Sequence, residues 1–430
     1  MVQLIIISPL LYLVFKTQLS EAGGIADNLS IFDLIACFAL LYQLCPRPSS
    51  GRKSFKFTKA DKYVLLFILA ASLSMVPLIY SDESLQPSLK AIIRLIEYVV
   101  LYFAVSNNLH SWLDIKRAFS FVAICGFVVS IIGILQFMIG PFRSIELFPW
   151  GPTWTTNYTA QGFRVYSLFD NPIFLGTYLV ITISFTLGLV IAESNKNRRV
   201  FYVCALVISG SCALLTFSRT ALMGLVVVVL GFMRLRARWG IPVMLGFLVV
   251  AAYVIPHELQ ARVFIEDKES LRTIYARFDL YQDAVQIYSS SPFLGVGIGN
   301  YGSAYAKRFA PTAREDSLVF TAENTFLHYA AEMGTVGLVA FVSVCFYFLW
   351  QLNCIRKNLT RADSWLSGCY ITLLAYYVCS LFSTMTSVGL NATFWILLGL
   401  FKAVIFMESK TGQTFYRMAS TQVDVSYVHG

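Results

Sequence analysis

The sequence predicts an all-α polytopic membrane protein of about twelve transmembrane helices, with a large loop on one face that contains amphipathic helices. Three observations predict it. The 430 residues are 57% hydrophobic and only 13% charged, with a mean hydropathy of +0.66, whereas a soluble globular chain carries about 25% charged residues. Apolar runs of spanning length recur along the chain. Basic residues crowd the connections that follow alternate runs, as positive-inside topology requires. The formal net charge of +9 is therefore a membrane signature, and no nucleic-acid partner is expected.

In order, the runs are Gln3–Lys16, Ile31–Cys45, Tyr63–Tyr80, Ser88–Val105, Ala118–Met138, Pro172–Ala192, Val200–Phe217, Ala221–Met233, Ile241–Ile255, Thr325–Leu349, Trp365–Met385 and Ala392–Met407. A span needs about 20 residues, so the first and eighth are short. The first lacks a basic lead and a small-residue cleavage site, and it reads as a retained span, not a signal peptide. Arg47, Arg52, Lys53, Lys56, Lys59 and Lys62 follow the second run; Lys116 and Arg117 follow the fourth. Lys196, Arg198 and Arg199 follow the sixth, Arg234, Arg236 and Arg238 the eighth, and Arg356, Lys357 and Arg361 the tenth. Each even-numbered run thus ends at a basic loop, which places those loops and both termini in the cytoplasm.

Two long connections fall on the opposite, non-cytoplasmic side: Gly140 to Asn171 and Pro256 to Ala322. The second is too long for a bare connector. From Glu269 onward, Leu280, Ala284, Val285 and Tyr288 recur at helical spacing, so a helix there lies along the membrane surface. The expected organisation is residues 1–163, holding helices one to five and the first outer loop, then 164–430, holding the loop 256–322 and helices six to twelve. The nine cysteines all lie in or beside apolar runs, without CxxC or histidine pairing. Neither a disulfide framework nor a metal site is expected, and no cofactor motif is present.

Several polar residues stand where apolar ones would serve a simple span. Arg219 sits between two apolar runs; it reads either as an interface anchor that snorkels to water or as an anion ligand. Arg164 precedes Asn171-Pro172, which is helix-start grammar, and a loop salt bridge is its plainer reading. Arg94 and Glu97 are three apart in the fourth run and suit each other as a pair, or else mark a substrate path. Arg277 lies on the amphipathic helix. Glu323-Asn324 stands where the long loop meets the tenth run. Its carboxyl is either a dipole-complementing helix start or, shielded from water, a general base. His328 follows one turn later, as a partner to that site or a satisfied buried histidine. Arg164, Arg219 and Arg277 together suit a di- or polyphosphate, since guanidinium binds phosphate oxygens bidentately. Without Walker A or dinucleotide motifs, a lipid-linked pyrophosphate is the better ligand than a nucleotide.

At these residues the chain resembles the O-antigen ligase and polymerase family of bacterial envelope enzymes. Four blocks carry the resemblance: Arg164-x-x-Ser167-x-Phe169-x-Asn171-Pro172; Ser218-Arg219-Thr220-Ala221; Arg277-x-x-x-Tyr281 followed by Pro292-Phe-Leu-Gly295-Val-Gly297; and Glu323-Asn324-x9-Gly334-x-x-Gly337. Ser167 stands where the family has glycine, and Glu323 where its ligases have histidine. The resemblance implies a C-type glycosyltransferase-like fold in the bacterial inner membrane with its active face in the periplasm. It implies an undecaprenyl-pyrophosphate-linked glycan donor and a glycan or lipid-linked acceptor, and leaves room for a chain-length regulator. Arg219 and Arg277 would hold the pyrophosphate, with Arg164, Arg94, Asn324 and His328 as further substrate contacts. Glu323 would be the base of an inverting, metal-independent transfer. The glutamate inclines the reading to an O-antigen or exopolysaccharide polymerase, with a ligase acting on lipid A-core as the alternative. A flippase of lipid-linked glycan is the rival from another class; transporters often show two related halves, which this chain lacks.

Overall fold

The computed structural model describes residues 2–8, 35–39, 57–80, 84–140, 158–159, 162–235, 268–309, 321–357, 364–385 and 387–426. Among them the regular structure is helical apart from one short antiparallel pair, β1 (Tyr158–Thr159) and β2 (Gly162–Phe163). The helices are α1 (Lys59–Leu73), α2 (Val76–Ile79), α3 (Gln86–Asn108), α4 (Trp112–Ile139), α5 (Pro172–Ala192), α6 (Lys196–Leu215), α7 (Arg219–Leu235), α8 (Lys268–Ser290), α9 (Tyr301–Phe309), α10 (Thr325–Lys357), α11 (Ser367–Leu381) and α12 (Val388–Ser426). Short helical pieces at 2–8 and 35–39 fall in the first two expected spans, and the ninth, Ile241–Ile255, lies outside the described residues.

Among the described residues, six stretches are long and apolar enough to cross a membrane: Lys59–Ile79, α4, α5, α6, α10 and Val388–Lys410. This is a multi-pass membrane protein. α3, α7 and α11 coincide with expected spans but are not among these six; α7 and α11 are shorter, and α3 carries Lys90, Arg94 and Glu97. Lys116 and Arg117, expected in a connection, instead fall within the first two turns of α4, whose start is set by Ser111: its side chain accepts from Asp114 N at 3.1 Å.

The bundle is built around α5, which is buried without a break from Leu175 to Leu189. α4, α6, α7 and α11 pack on it, while α12 packs against α3 and α10 against α1. Large apolar side chains point outward from the periphery, among them Leu66 and Leu69 on α1, Val203 and Val207 on α6, and Val339 and Phe346 on α10. In water these would be a liability; hydrocarbon solvates them. Deep in the bundle, Asp61 of α1 accepts from Lys402 Nζ of α12 at 2.8 Å and from the Tyr102 hydroxyl of α3 at 2.8 Å. Both charged side chains are almost wholly buried.

α10 is broken at Gly334, whose φ of 63° and ψ of −165° leave the helical region. The break frees backbone groups that a loop satisfies. Val296 N and Gly297 N donate to Ala331 O and Glu332 O at 3.0 and 2.8 Å; in return, Thr335 N and Val336 N donate to Pro292 O and Phe293 O at 2.8 and 3.2 Å. Non-helical backbone at membrane depth is tolerated only when paired in this way. A Cβ on Gly334 would lie 2.3 Å from Phe293 C, and one on Gly295 2.3 Å from Glu332 C. The two segments touch backbone to backbone because neither position has a side chain. The same loop is tied to the bundle at Ser74 and Ser88, which pair with Ile298 N and Ile298 O.

Candidate functional site

The C-terminal end of α11 is the meeting point of the sequence blocks. Asn324 Nδ2 donates to Leu381 O at 2.9 Å, and the Tyr281 hydroxyl lies 3.4 Å from both Leu381 O and Glu323 O. Thr220, next to Arg219, donates to Phe382 O at 3.5 Å, and Thr325 donates to Ser383 O at 3.0 Å. Arg277 is one helical turn before Tyr281 on α8, so that tyrosine anchors the arginine's face toward the site. Arg164 reaches the same region from the other side. It is buried, and its Nε donates to Thr216 O at 2.9 Å, in the turn that delivers Arg219. Gln136 clamps the segment that follows Arg164, its Oε1 accepting from Ser167 N at 2.7 Å and its Nε2 donating to Ser167 O at 2.9 Å.

Three non-glycine residues among those described adopt left-handed φ: Ser167 at 52°, Phe217 at 46° and Glu323 at 50°. Each sits in or beside one of the blocks. Such conformations cost about 1–3 kcal/mol and persist where surroundings over-determine them, most often at functional sites. At Ser167 the angle accounts for glycine in the related pattern; here the serine is held by donating from Oγ to Val129 O at 2.6 Å.

Glu323 is the most chemically pointed of the three. Its Oε1 accepts from Thr321 Oγ1 at 3.5 Å, while its Oε2 is buried without a hydrogen-bond partner among the described residues. Burial pushes the carboxyl above the usual range, and the nearby Arg277 guanidinium pulls in the opposite direction. A half-desolvated carboxylate with one idle oxygen is suited to taking a proton.

The other expected contacts divide. Asn324 caps α10, its Oδ1 accepting from Phe326 N and Leu327 N at 2.9 and 3.0 Å; with its Nδ2 on Leu381 O, both ends of its amide are engaged. Arg94 pairs with Glu97 at 2.8 Å. His328 turns away from Asn324 and reaches Glu332, Nε2 to Oε1 at 3.4 Å. Arg94 and His328 nonetheless meet: both line a cavity of about 540 Å³ that also touches Thr321, Glu332 and Trp395. Sequence reasoning missed Thr321, Glu332 and Trp395. Glu332 left a readable signal, a lone acid inside an apolar run; the carbonyls of α11 left none.

Fold and site together define a multi-pass membrane protein with a strained, arginine-flanked carboxyl where a loop meets its helices. Residues 204–342 match the family model described as O-antigen ligase, a stretch that carries Arg219, Arg277, Glu323 and Gly334 and bears out the resemblance read from the motifs. No curated protein matches the chain. The match supports a function in glycan ligation or polymerisation on lipid-linked substrates in a bacterial membrane.

Proposed function

We propose that the chain is an inverting, metal-independent glycosyltransferase that polymerises undecaprenyl-pyrophosphate-linked repeat units at the periplasmic face. One observation carries this reading: the Arg219 turn, the Arg277 helix and Glu323 converge on the end of α11. Glu323 Oε2 takes the proton from an acceptor hydroxyl. That oxygen attacks the anomeric carbon of the donor's first sugar, and the bond from that carbon to undecaprenyl pyrophosphate breaks. Arg219 and Arg277, with Arg164 behind them, hold the leaving diphosphate. Asn324 fixes the helix start beside the base, and Arg94 and His328 contribute to substrate binding from the adjoining cavity. Polymerisation is preferred to ligation onto lipid A-core because Glu323 occupies the position where related ligases carry histidine.

Incubating purified protein with a synthetic lipid-linked repeat unit tests the proposal. A ladder of products is expected. Translocation across vesicles without a ladder would instead identify a flippase.

A further inference from the structure

The cavity that joins Arg94 to His328 has a chemistry of its own. Helices α1, α3, α9, α10 and α12 line it. Arg94 lies eight residues into α3 and Glu332 seven into α10, so each is about 10–12 Å below its helix start at 1.5 Å per residue; Asn391 and Trp395 lie in the first two turns of α12. Its volume of about 540 Å³ falls in the range of small-ligand sites. Glu332 and His328 are each 4% exposed, and His328 Nδ1 is buried without a hydrogen-bond partner among the described residues. An idle buried nitrogen on a cavity wall costs stability unless something bonds it.

The charge balance excludes a second phosphate. Arg94 is matched by Glu97 at 2.8 Å, and Glu332 adds another carboxyl. A diphosphate needs surplus cations, and these walls offer none. What they offer is a planar guanidinium, a carboxyl and an amide beside the flat rings of Tyr98 and Trp395. A sugar ring presents the complement: a rim of hydroxyls that donate and accept, and C–H faces that pack on aromatic rings. The cavity also adjoins the base. Thr321 lines it and donates to Glu323 Oε1 at 3.5 Å, so one side chain links the cavity wall to the carboxyl that must deprotonate a hydroxyl.

We propose that this cavity is the acceptor-sugar subsite, in which Arg94, Glu332 and Asn391 bond hydroxyls and Trp395 packs on a sugar face. The assignment rests on the glycan-transfer reading above.

The test uses the full-length protein in nanodiscs and, as probe, the lipid-free oligosaccharide that mild acid releases from the synthetic lipid-pyrophosphate-linked repeat unit. Saturation-transfer NMR should show the wild type contacting the oligosaccharide. Glu332→Gln, Trp395→Ala and Asn391→Ala should each weaken binding about tenfold, the loss of one good contact. Arg219→Ala should bind it unchanged. In turnover, the same three variants should raise the acceptor KM about tenfold and leave the donor KM where it was. Asn391 is half-buried and near a helix start, so its variant carries the test if the buried ones fail to fold. Wild type that ignores the oligosaccharide, variants that bind it normally, or a donor KM that moves instead would overturn the proposal. Oligosaccharide binding without any product ladder would sink the transfer reading and leave the sugar site standing.

Discussion

At the scale of the residue, Glu323 joins two properties that sequence shows separately or not at all. Its place in a spaced block was legible, as were Arg164, Arg219 and Arg277, because motif spacing is a property of the chain itself. Its φ of 50° was not, since no neighbour in sequence dictates it. The two properties make opposite demands. Glu323→Gln keeps shape but cannot take a proton, so transfer should fall by about 100-fold or more, with donor binding kept. Glu323→Gly removes the carboxyl and also the Cβ that makes this conformation cost about 1–2 kcal/mol. Its melting temperature should be no lower than wild type while its ladder disappears; a destabilised, active Gly variant would show that the strain serves packing alone. The pH profile is a second check. A base must be deprotonated to act, and burial raises this carboxyl above 4.5. The acid limb of kcat/KM should therefore lie above that value, with activity rising as pH rises through it. Arg277→Ala removes the charge that opposes the rise, so the limb of its residual activity should move to higher pH, whereas Arg277→Lys should leave it in place.

At the scale of the element, α8 was readable from the 3.6-residue period of its apolar positions, and it begins at Lys268, one residue before the expected start. The docking of loop 291–300 onto the broken α10 was not readable, because main-chain hydrogen bonds leave no side-chain signature. Only the glycines pointed to it, as members of two blocks that sequence could not show were facing each other. Gly334→Ala would set a Cβ 2.3 Å from Phe293 C at a φ of +63°. Left-handed strain costs about 1–2 kcal/mol and forced overpacking typically about 1–3. The level of folded protein in the membrane should drop sharply, and transfer with it. Gly210→Ala is the control: it lies in α6 with nothing within 4 Å of its added carbon, so both should hold. Equal behaviour of the two variants would remove the docking from the account of stability.

At the scale of the molecule, apolar runs and basic connections made the multi-pass architecture legible, because lipid imposes length and charge rules on any spanning chain. The same rules predict that Lys59 and Arg198 face the cytoplasm and that Ser303 lies outside. Single cysteines there, probed in intact cells with an impermeant reagent, should label only at 303; labelling at 59 would reverse the bundle. What those rules do not report is which helices touch. Asp61 and Lys402 lie 341 positions apart, and their pairing belongs to the folded bundle alone. Removing one partner of a buried pair costs about 3–5 kcal/mol, whereas replacing both with apolar residues is often neutral. Asp61→Asn should therefore deplete folded protein, and adding Lys402→Met should restore it; a double variant as depleted as the single would show that the pair is not coupled. The pairing also bears on the order in which the chain is made. Asp61 is synthesised hundreds of residues before Lys402, so until α12 is made that carboxyl has the Thr58 and Tyr102 hydroxyls as partners but not its buried cation. A chain cut short before α12 keeps that stranded charge. Such a chain should therefore accumulate poorly as folded protein, which the membrane level of a variant truncated before α12 would check.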